Sequence, residues 1–351
     1  MNQALIRKVA DRVICTKTTD WAMDIEQFDW VPGVGLYGLF LAYEVTGRQR
    51  YWEFLAEWFS RHLPEAAEKK TVNSTAPLLT AACMYERAPN PQYRKVMEAA
   101  GEFILREAPK TVDGGLEHTV TEPVAGFSDQ IWADTLFMAC IFLAKLGRIT
   151  GNQVYTDFAA EQFVIHHRLL SDGAGLYFHG YNGGRRNHMS AVRWGRANAW
   201  ILYATTAMLE ICPDFPQRPF LIERVQTHIR ELTVVQAKGG GFRTVLDDPA
   251  AYVEISATAG IAAGLGKAIQ LGIVGKEYGA VQEKALAAVK AAVFPDGLVD
   301  GVSSGTPVMP DAAAYKQIPI VPTLYGQGLA LAAFCTGFET CAEMCYNGSA
   351  I

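Results

Sequence analysis

Ile131-Trp132-Ala133-Asp134-Thr135-Leu136-Phe137-Met138-Ala139-Cys140-Ile141-Phe142-Leu143-Ala144 reads as a helix that is apolar on every side, the pattern of a helix enclosed by others. It falls short of the roughly 20 apolar residues that span a bilayer, so it belongs in a protein core. Its first turn carries one carboxylate, Asp134. A buried carboxylate without a partner costs several kcal/mol, so such a group is paired, protonated or functional.

Reading outward from this segment, a two-part unit recurs. A first helix rich in Gly, Ala and aromatics is followed by a turn and a charged, amphipathic second helix. First members begin near Val34, Ser74, Ile131, Arg196, Ser256 and Leu324. Second members include Tyr51–His62, Gln92–Glu107, Val154–Leu169, Pro219–Leu232 and Tyr278–Val293. The amphipathic stretch from about Gln3 to Cys15 supplies the outer helix that is otherwise missing. Six hairpins then close, which predicts an all-α protein, an (α/α)6 barrel formed as a single catalytic domain over residues 1–351. An open helical array is the alternative, and the closing count favours the barrel. Glycine inside a helix costs about 1 kcal/mol against alanine. Gly260, Gly264, Gly266, Gly326 and Gly328 therefore point to close helix approach or to room for a ligand.

Composition narrows the function. Half of the 351 residues are apolar and the net charge is −5; no basic run offers a nucleic-acid surface. The first nine residues show no continuous apolar signal segment. The seven cysteines are scattered and odd in number, which fits free thiols in a reducing compartment and predicts a cytoplasmic protein. Cys341 and Cys345 are spaced to share a helix face, but no further ligand completes a metal site. We expect no metal and no cofactor.

Chemistry-bearing residues gather where the chain enters the first helices. One entrance is Phe28-Asp29-Trp30-Val31-Pro32-Gly33 and another Asp113-Gly114-Gly115-Leu116-Glu117-His118. The richest runs from Leu176-Tyr177-Phe178-His179 through Arg185-Arg186-Asn187-His188 to Arg193-Trp194-Gly195-Arg196-Ala197-Asn198-Ala199-Trp200. Aromatic faces suit the apolar side of a sugar ring, and an Arg fork suits a carboxylate. Taken singly, Trp200 reads equally as core, His179 as a satisfied imidazole, and Arg185 and Arg186 as solvated charges. Asp129 reads as a helix N-cap, and Glu254 is a further acid near a helix start.

Trp194-Gly195-Arg196-Ala197-Asn198-Ala199-Trp200 and Trp132-Ala133-Asp134 resemble motifs of the unsaturated rhamnogalacturonyl hydrolases, glycoside hydrolase family 105, whose barrel is shared by the family 88 unsaturated glucuronyl hydrolases. Phe178-His179-Gly180, Gly114-Gly115-Leu116-Glu117-His118, Val253-Glu254-Ile255-Ser256 and Tyr325-Gly326-Gln327-Gly328 fall in the expected order. The resemblance implies an exo-acting hydrolase that removes the 4,5-unsaturated uronic acid left by polysaccharide lyases, acting on a disaccharide. It implies Asp134 as general acid/base, with Tyr37, Asn73, His118, Trp132, His179, Trp194, Arg196 and Trp200 at the substrate. The family's second Asp is replaced here by Asn73, which hydrogen-bonds but cannot act as a base.

One carboxylate suffices for such a sugar. Its C4=C5 bond is a vinyl ether, so protonation at C4 creates a cation at C5. Water then adds at C5, and the hemiketal rearranges to expel the neighbouring sugar. The acid role calls for a raised pKa, and burial beside Trp132, Phe137 and Met138 is expected to outweigh the opposing helix N-terminus. Arg196 is the first choice to meet the substrate carboxylate, with Arg193, Arg185 and Lys316 behind it. Two other classes fit the same barrel: a sugar epimerase, which would want paired histidines on inner helices, and a non-catalytic carbohydrate binder. His166 and His167 fall on an outer helix.

Overall fold

The computed structural model describes residues 3–121 and 127–347, with side chains to residue 338. Cys341 and Cys345 thus lie outside the described side chains. The inner helices are α2 (Trp30–Thr46), α4 (Ala76–Arg87), α6 (Ile141–Thr150), α8 (Gly195–Ile211), α10 (Ile255–Gln270) and α13 (Leu324–Asn347). The outer ones are α1 (Gln3–Ile14), α3 (Gln49–Glu68), α5 (Pro91–Glu102), α7 (Gln153–Leu170), α9 (Arg218–Val235) and α11 (Gly279–Ala291). A short α12 (Ala312–Lys316) lies in the connection before α13.

The inner helices pack in the cyclic order α2, α4, α6, α8, α10, α13 and back to α2. The ring is closed, as the helix count predicts. Helix α1 packs on both α13 and α2 and so fills the outer position assigned to it. The division between layers follows from the side chains. Every residue of α8 except Glu210 is buried, whereas α3 buries one stripe, including Tyr51, Leu55, Trp58, Phe59 and His62. Closure across α2 and α13 depends on glycine. A Cβ on Gly38 would lie 2.6 Å from the Gly328 backbone, and one on Gly328 would lie 2.1 Å from the Val34 carbonyl.

Local signals set the ends. Asp29 caps α2 by accepting from Trp30 N–H, and Gly47 ends that helix at φ 64°, a conformation that glycine adopts without steric cost. Neighbouring inner helices are joined toward their C-termini by the pairs Glu44–Arg87, Glu86–Lys145 and Glu210–Lys267; Arg87 and Lys267 stand in the last turns of their helices, where the helix dipole favours a cation.

The opening segment differs from expectation in one respect. Gln130–Trp132 forms strand β1, paired antiparallel with β2 (Gly180–Asn182), so that Ile131 faces Tyr181 across the ladder. The helix begins at Asp134, and Leu136–Cys140 forms a π-helical turn before α6. The ladder with residues 180–182 takes the place of the first helical turn, so the apolar pattern of this stretch belongs to two kinds of structure. Asp129 is not a helix N-cap: it precedes β1 with φ 60°, and its carbonyl accepts from Gly183 N–H. At the start of α10 the cap is Glu254, whose carboxylate accepts from Ala257 N–H.

Candidate functional site

At the mouth formed by the N-terminal ends of the inner helices lies a cavity of about 200 Å³, the size of one sugar ring. Its floor and walls include Asn73, His118, Trp132, Asp134, Trp194 and Arg196, and its rim includes Trp21, Trp30, Val120, Phe127 and Pro307. Among the described lining residues there is one carboxylate, Asp134, and one guanidinium, Arg196.

The β1–β2 pair explains why Asp134 points inward. Trp132 and Gly180 are register partners, and Ala133 N–H donates to the His179 carbonyl. The strand therefore delivers Trp132, Asp134 and His179 to one place. His179 Nε2 stands 3.3 Å from Asp134 Oδ2. The contact is longer than a usual charge-assisted hydrogen bond, and neither atom has another partner. On its other side, His179 Nδ1 is 2.7 Å from the Tyr315 hydroxyl. His118 stacks on Trp132 at 4.4 Å between centroids, and its Nδ1 is 3.0 Å from Thr135 Oγ1.

These contacts overturn the expected ionisation of Asp134. Burial does push its carboxyl upward, but the nearby His179, together with His118 and Arg196, outweighs burial, and the group is held below the usual carboxylate range. Burial keeps both imidazoles neutral near pH 7: His118 is pushed down to about 4, and His179 is lowered despite the attraction of Asp134. Phe137, expected beside the carboxylate, instead turns into the core against Trp200 and Tyr203.

Arg196 is 1% exposed. Its Nη1 donates to the Ser303 carbonyl and hydroxyl, both at 2.7 Å, and to Ser256 Oγ at 3.3 Å. Its Nη2 donates to the Ser304 carbonyl at 2.8 Å, and Glu254 lies 3.7 Å away. Trp194 and Tyr325 flank the guanidinium at 4.4 and 5.1 Å. The fork is therefore held in one plane, while Nε and the second Nη2 hydrogen have no protein acceptor among the described residues. Arg193 is tied to Asp172 and Asp247, and Lys316 to Asp248; Arg185 is exposed.

Asn73 is buried, and its Oδ1 has no hydrogen-bond partner, which leaves an acceptor at the cavity wall. Two residues of the predicted set lie elsewhere. Trp200 is fully buried against Phe137. Tyr37 lines a second cavity toward the C-terminal ends of the inner helices, with Glu44, Glu86 and Lys145. Asn198, the central polar residue of the Trp-x-Arg-x-Asn-x-Trp stretch, is a clasp: it accepts from Tyr177 N–H and donates to the Tyr177 and Trp194 carbonyls. The sequence reading missed Trp21, the Gly305–Pro307 loop and Tyr315. The first two precede inner helices, the rule that located the other entrances.

The motifs and the cavity agree with comparison to known proteins. Residues 5–340 match the model of Glycosyl Hydrolase Family 88. The unsaturated rhamnogalacturonyl hydrolase YesR of Bacillus subtilis (strain 168) is 34% identical over 93% of this chain and 93% of its own. The crystal structure of a possible GH105 member from Klebsiella pneumoniae superposes with a TM-score of 0.89 at 33% identity, over 96% of this chain and 92% of that one. A possible GH105 member from Salmonella enterica superposes at 0.90 and 32%, over 98% and 95%. With a closed helical barrel, a ring-sized cavity and a carboxylate in its wall, this chain belongs to Glycosyl Hydrolase Family 88 and is a glycoside hydrolase.

Proposed function

We propose that the enzyme removes a 4,5-unsaturated uronic acid from the non-reducing end of short oligosaccharides, a disaccharide being the simplest, with Asp134 as acid and base. The observation that carries this reading is Asp134 standing as the carboxylate of a cavity with room for one ring, beside aromatic faces and a fixed guanidinium. Two carboxylates flank the bond in ordinary glycoside hydrolysis; a vinyl ether needs one. Asp134 gives its proton to C4, and the positive charge forms at C5 and the ring oxygen. Water adds at C5 and returns a proton to Asp134. The hemiketal opens to a C5 ketone, the ring oxygen becomes a hydroxyl on C1, and this hemiacetal expels the neighbouring sugar.

The low pKa of the free site does not oppose this chemistry. The uronate brings a second negative charge beside Asp134, and like charges at one site raise a carboxyl pKa. Arg196 meets the uronate with its open Nε and Nη2 edge. Asn73 Oδ1 accepts from a ring hydroxyl, and Trp132, His118 and Trp194 cover the ring faces. The rim residues Trp21, Trp30, Phe127 and Pro307 are apolar. Such a rim favours a neutral, methyl-bearing neighbouring sugar over a sulfated one. Cys15, Cys83, Cys140 and Cys212 are free thiols, which supports a reducing, cytoplasmic setting.

Substitution Asp134→Asn keeps the shape and removes the proton. We expect loss of turnover by at least about a hundredfold, the usual scale for a general acid, with thermal stability retained. The assay follows ultraviolet absorbance of the conjugated C=C on lyase digests of rhamnogalacturonan and glycosaminoglycans. Substantial bleaching by Asp134→Asn would remove this residue from the mechanism. An unbleached substrate with the natural enzyme would favour a binder or an epimerase.

A further inference from the structure

We propose that Tyr315 is a positioning residue for the reaction: its hydroxyl fixes the hydrogen of His179 on Nε2, aimed at Asp134. The inference rests on the reading of Asp134 as the acid. Tyr315 lies 136 positions beyond His179 in the chain, on the short helix α12, and no motif marks it. It is fully buried, and its ring packs on Trp194 at 5.6 Å and on His179 at 5.9 Å.

The direction of the hydrogen bonds follows from the partners. Met309 N–H donates to the Tyr315 oxygen at 3.2 Å. With the backbone donor at the phenol oxygen, the phenol's own hydrogen is left for its other partner, His179 Nδ1 at 2.7 Å. Burial keeps the phenol protonated and the imidazole neutral. A neutral imidazole carries one hydrogen; with Nδ1 accepting, that hydrogen is on Nε2, 3.3 Å from Asp134 Oδ2.

The groups acting on Asp134 are then accounted for. His179 presents an N–H, His118 approaches from the strand side, and Arg196, backed by Glu254, approaches from α8. When Asp134 releases its proton to C4, the new carboxylate meets an N–H that is already oriented. Preorganised donors of this kind act without reorganisation at the moment of reaction. With the hydrogen on Nδ1 instead, a nitrogen lone pair would face the carboxylate, which disfavours the anion.

Two measurements test this. In ¹⁵N-labelled protein, two-bond proton–nitrogen correlations of the ring report the His179 tautomer without any need for substrate. The natural protein should show His179 protonated at Nε2 near pH 7, and Tyr315→Phe should lose that preference. In Tyr315→Phe, kcat on the unsaturated disaccharide from a rhamnogalacturonan lyase digest should fall about tenfold, a fraction of a general acid's usual contribution. The basic limb of kcat/KM should move to higher pH, because the Asp134 anion has lost its donor. A natural protein with the hydrogen on Nδ1 overturns the proposal, as does a folded Tyr315→Phe with unchanged tautomer and unchanged basic limb. If the variant does not fold, the tautomer of the natural protein decides. Failure of the Asp134 reading shows separately, as turnover by Asp134→Asn, and leaves the tautomer result standing.

Discussion

Replacing Arg196 should damage stability as well as binding, and the size of the effect can be worked from its contacts. Arg196 and Glu254 are both essentially inaccessible, at 1% and 0%, and stand 3.7 Å apart. Arg196→Met retains bulk but removes the charge and the donors to Ser256, Ser303 and Ser304. Glu254 keeps its donors from Ser256, Ala257 and Ser303 but loses its counter-charge. Breaking a buried pair by removing one member costs about 3–5 kcal/mol. For a chain of this length, roughly 2 °C per kcal/mol converts this to a melting point lower by about 6–10 °C. The double substitution Arg196→Met with Glu254→Gln removes the orphaned charge while leaving an amide oxygen to cap α10. It should be more stable than additivity predicts, by about 1–3 kcal/mol of coupling. Urea unfolding followed by tryptophan fluorescence measures all four corners of the cycle. Strict additivity, or an Arg196→Met protein as stable as the natural one, would refute the view of Arg196 as a buried, structurally committed cation. In that case the residue would be a free carboxylate anchor.

Stability should also fall with acid. His118 and His166 titrate near 4 and His228 near 3 in the folded chain, all through burial, against about 6.5 unfolded. The unfolded chain therefore binds more protons between these values, so stability is complete above about pH 6.5 and declines toward pH 4. The slope is up to about 1.4 kcal/mol per pH unit per histidine, and urea midpoints across that range that stay flat would contradict it. Closure of the ring makes a further demand: Gly328→Ala drives a methyl into the Val34 carbonyl. Because backbone has to move, a loss of about 3 kcal/mol or more, the upper range for overpacking, is expected. A melting point within a degree of the natural protein would contradict the close approach of α2 and α13.

The helices, their alternation between inner and outer layers and the closure of the ring were legible in the chain, as was the gathering of Asp134, His118, His179, Trp194 and Arg196 at the helix entrances. These features follow from local periodicity and from the residue types at helix entrances, which each segment carries within itself. The rest was set by packing between segments far apart in the chain. Strand β1 in place of the first helical turn depends on a partner at residues 180–182, and the placement of Trp200 and Tyr37 away from the mouth depends on the rotation of whole helices. The ionisation of Asp134 is a balance of burial against His179, His118 and Arg196, set by distances that no local pattern encodes. Tyr315 reaches His179 across 136 positions, because a long connection folds back over the mouth and buries a phenol where a histidine lacks a donor.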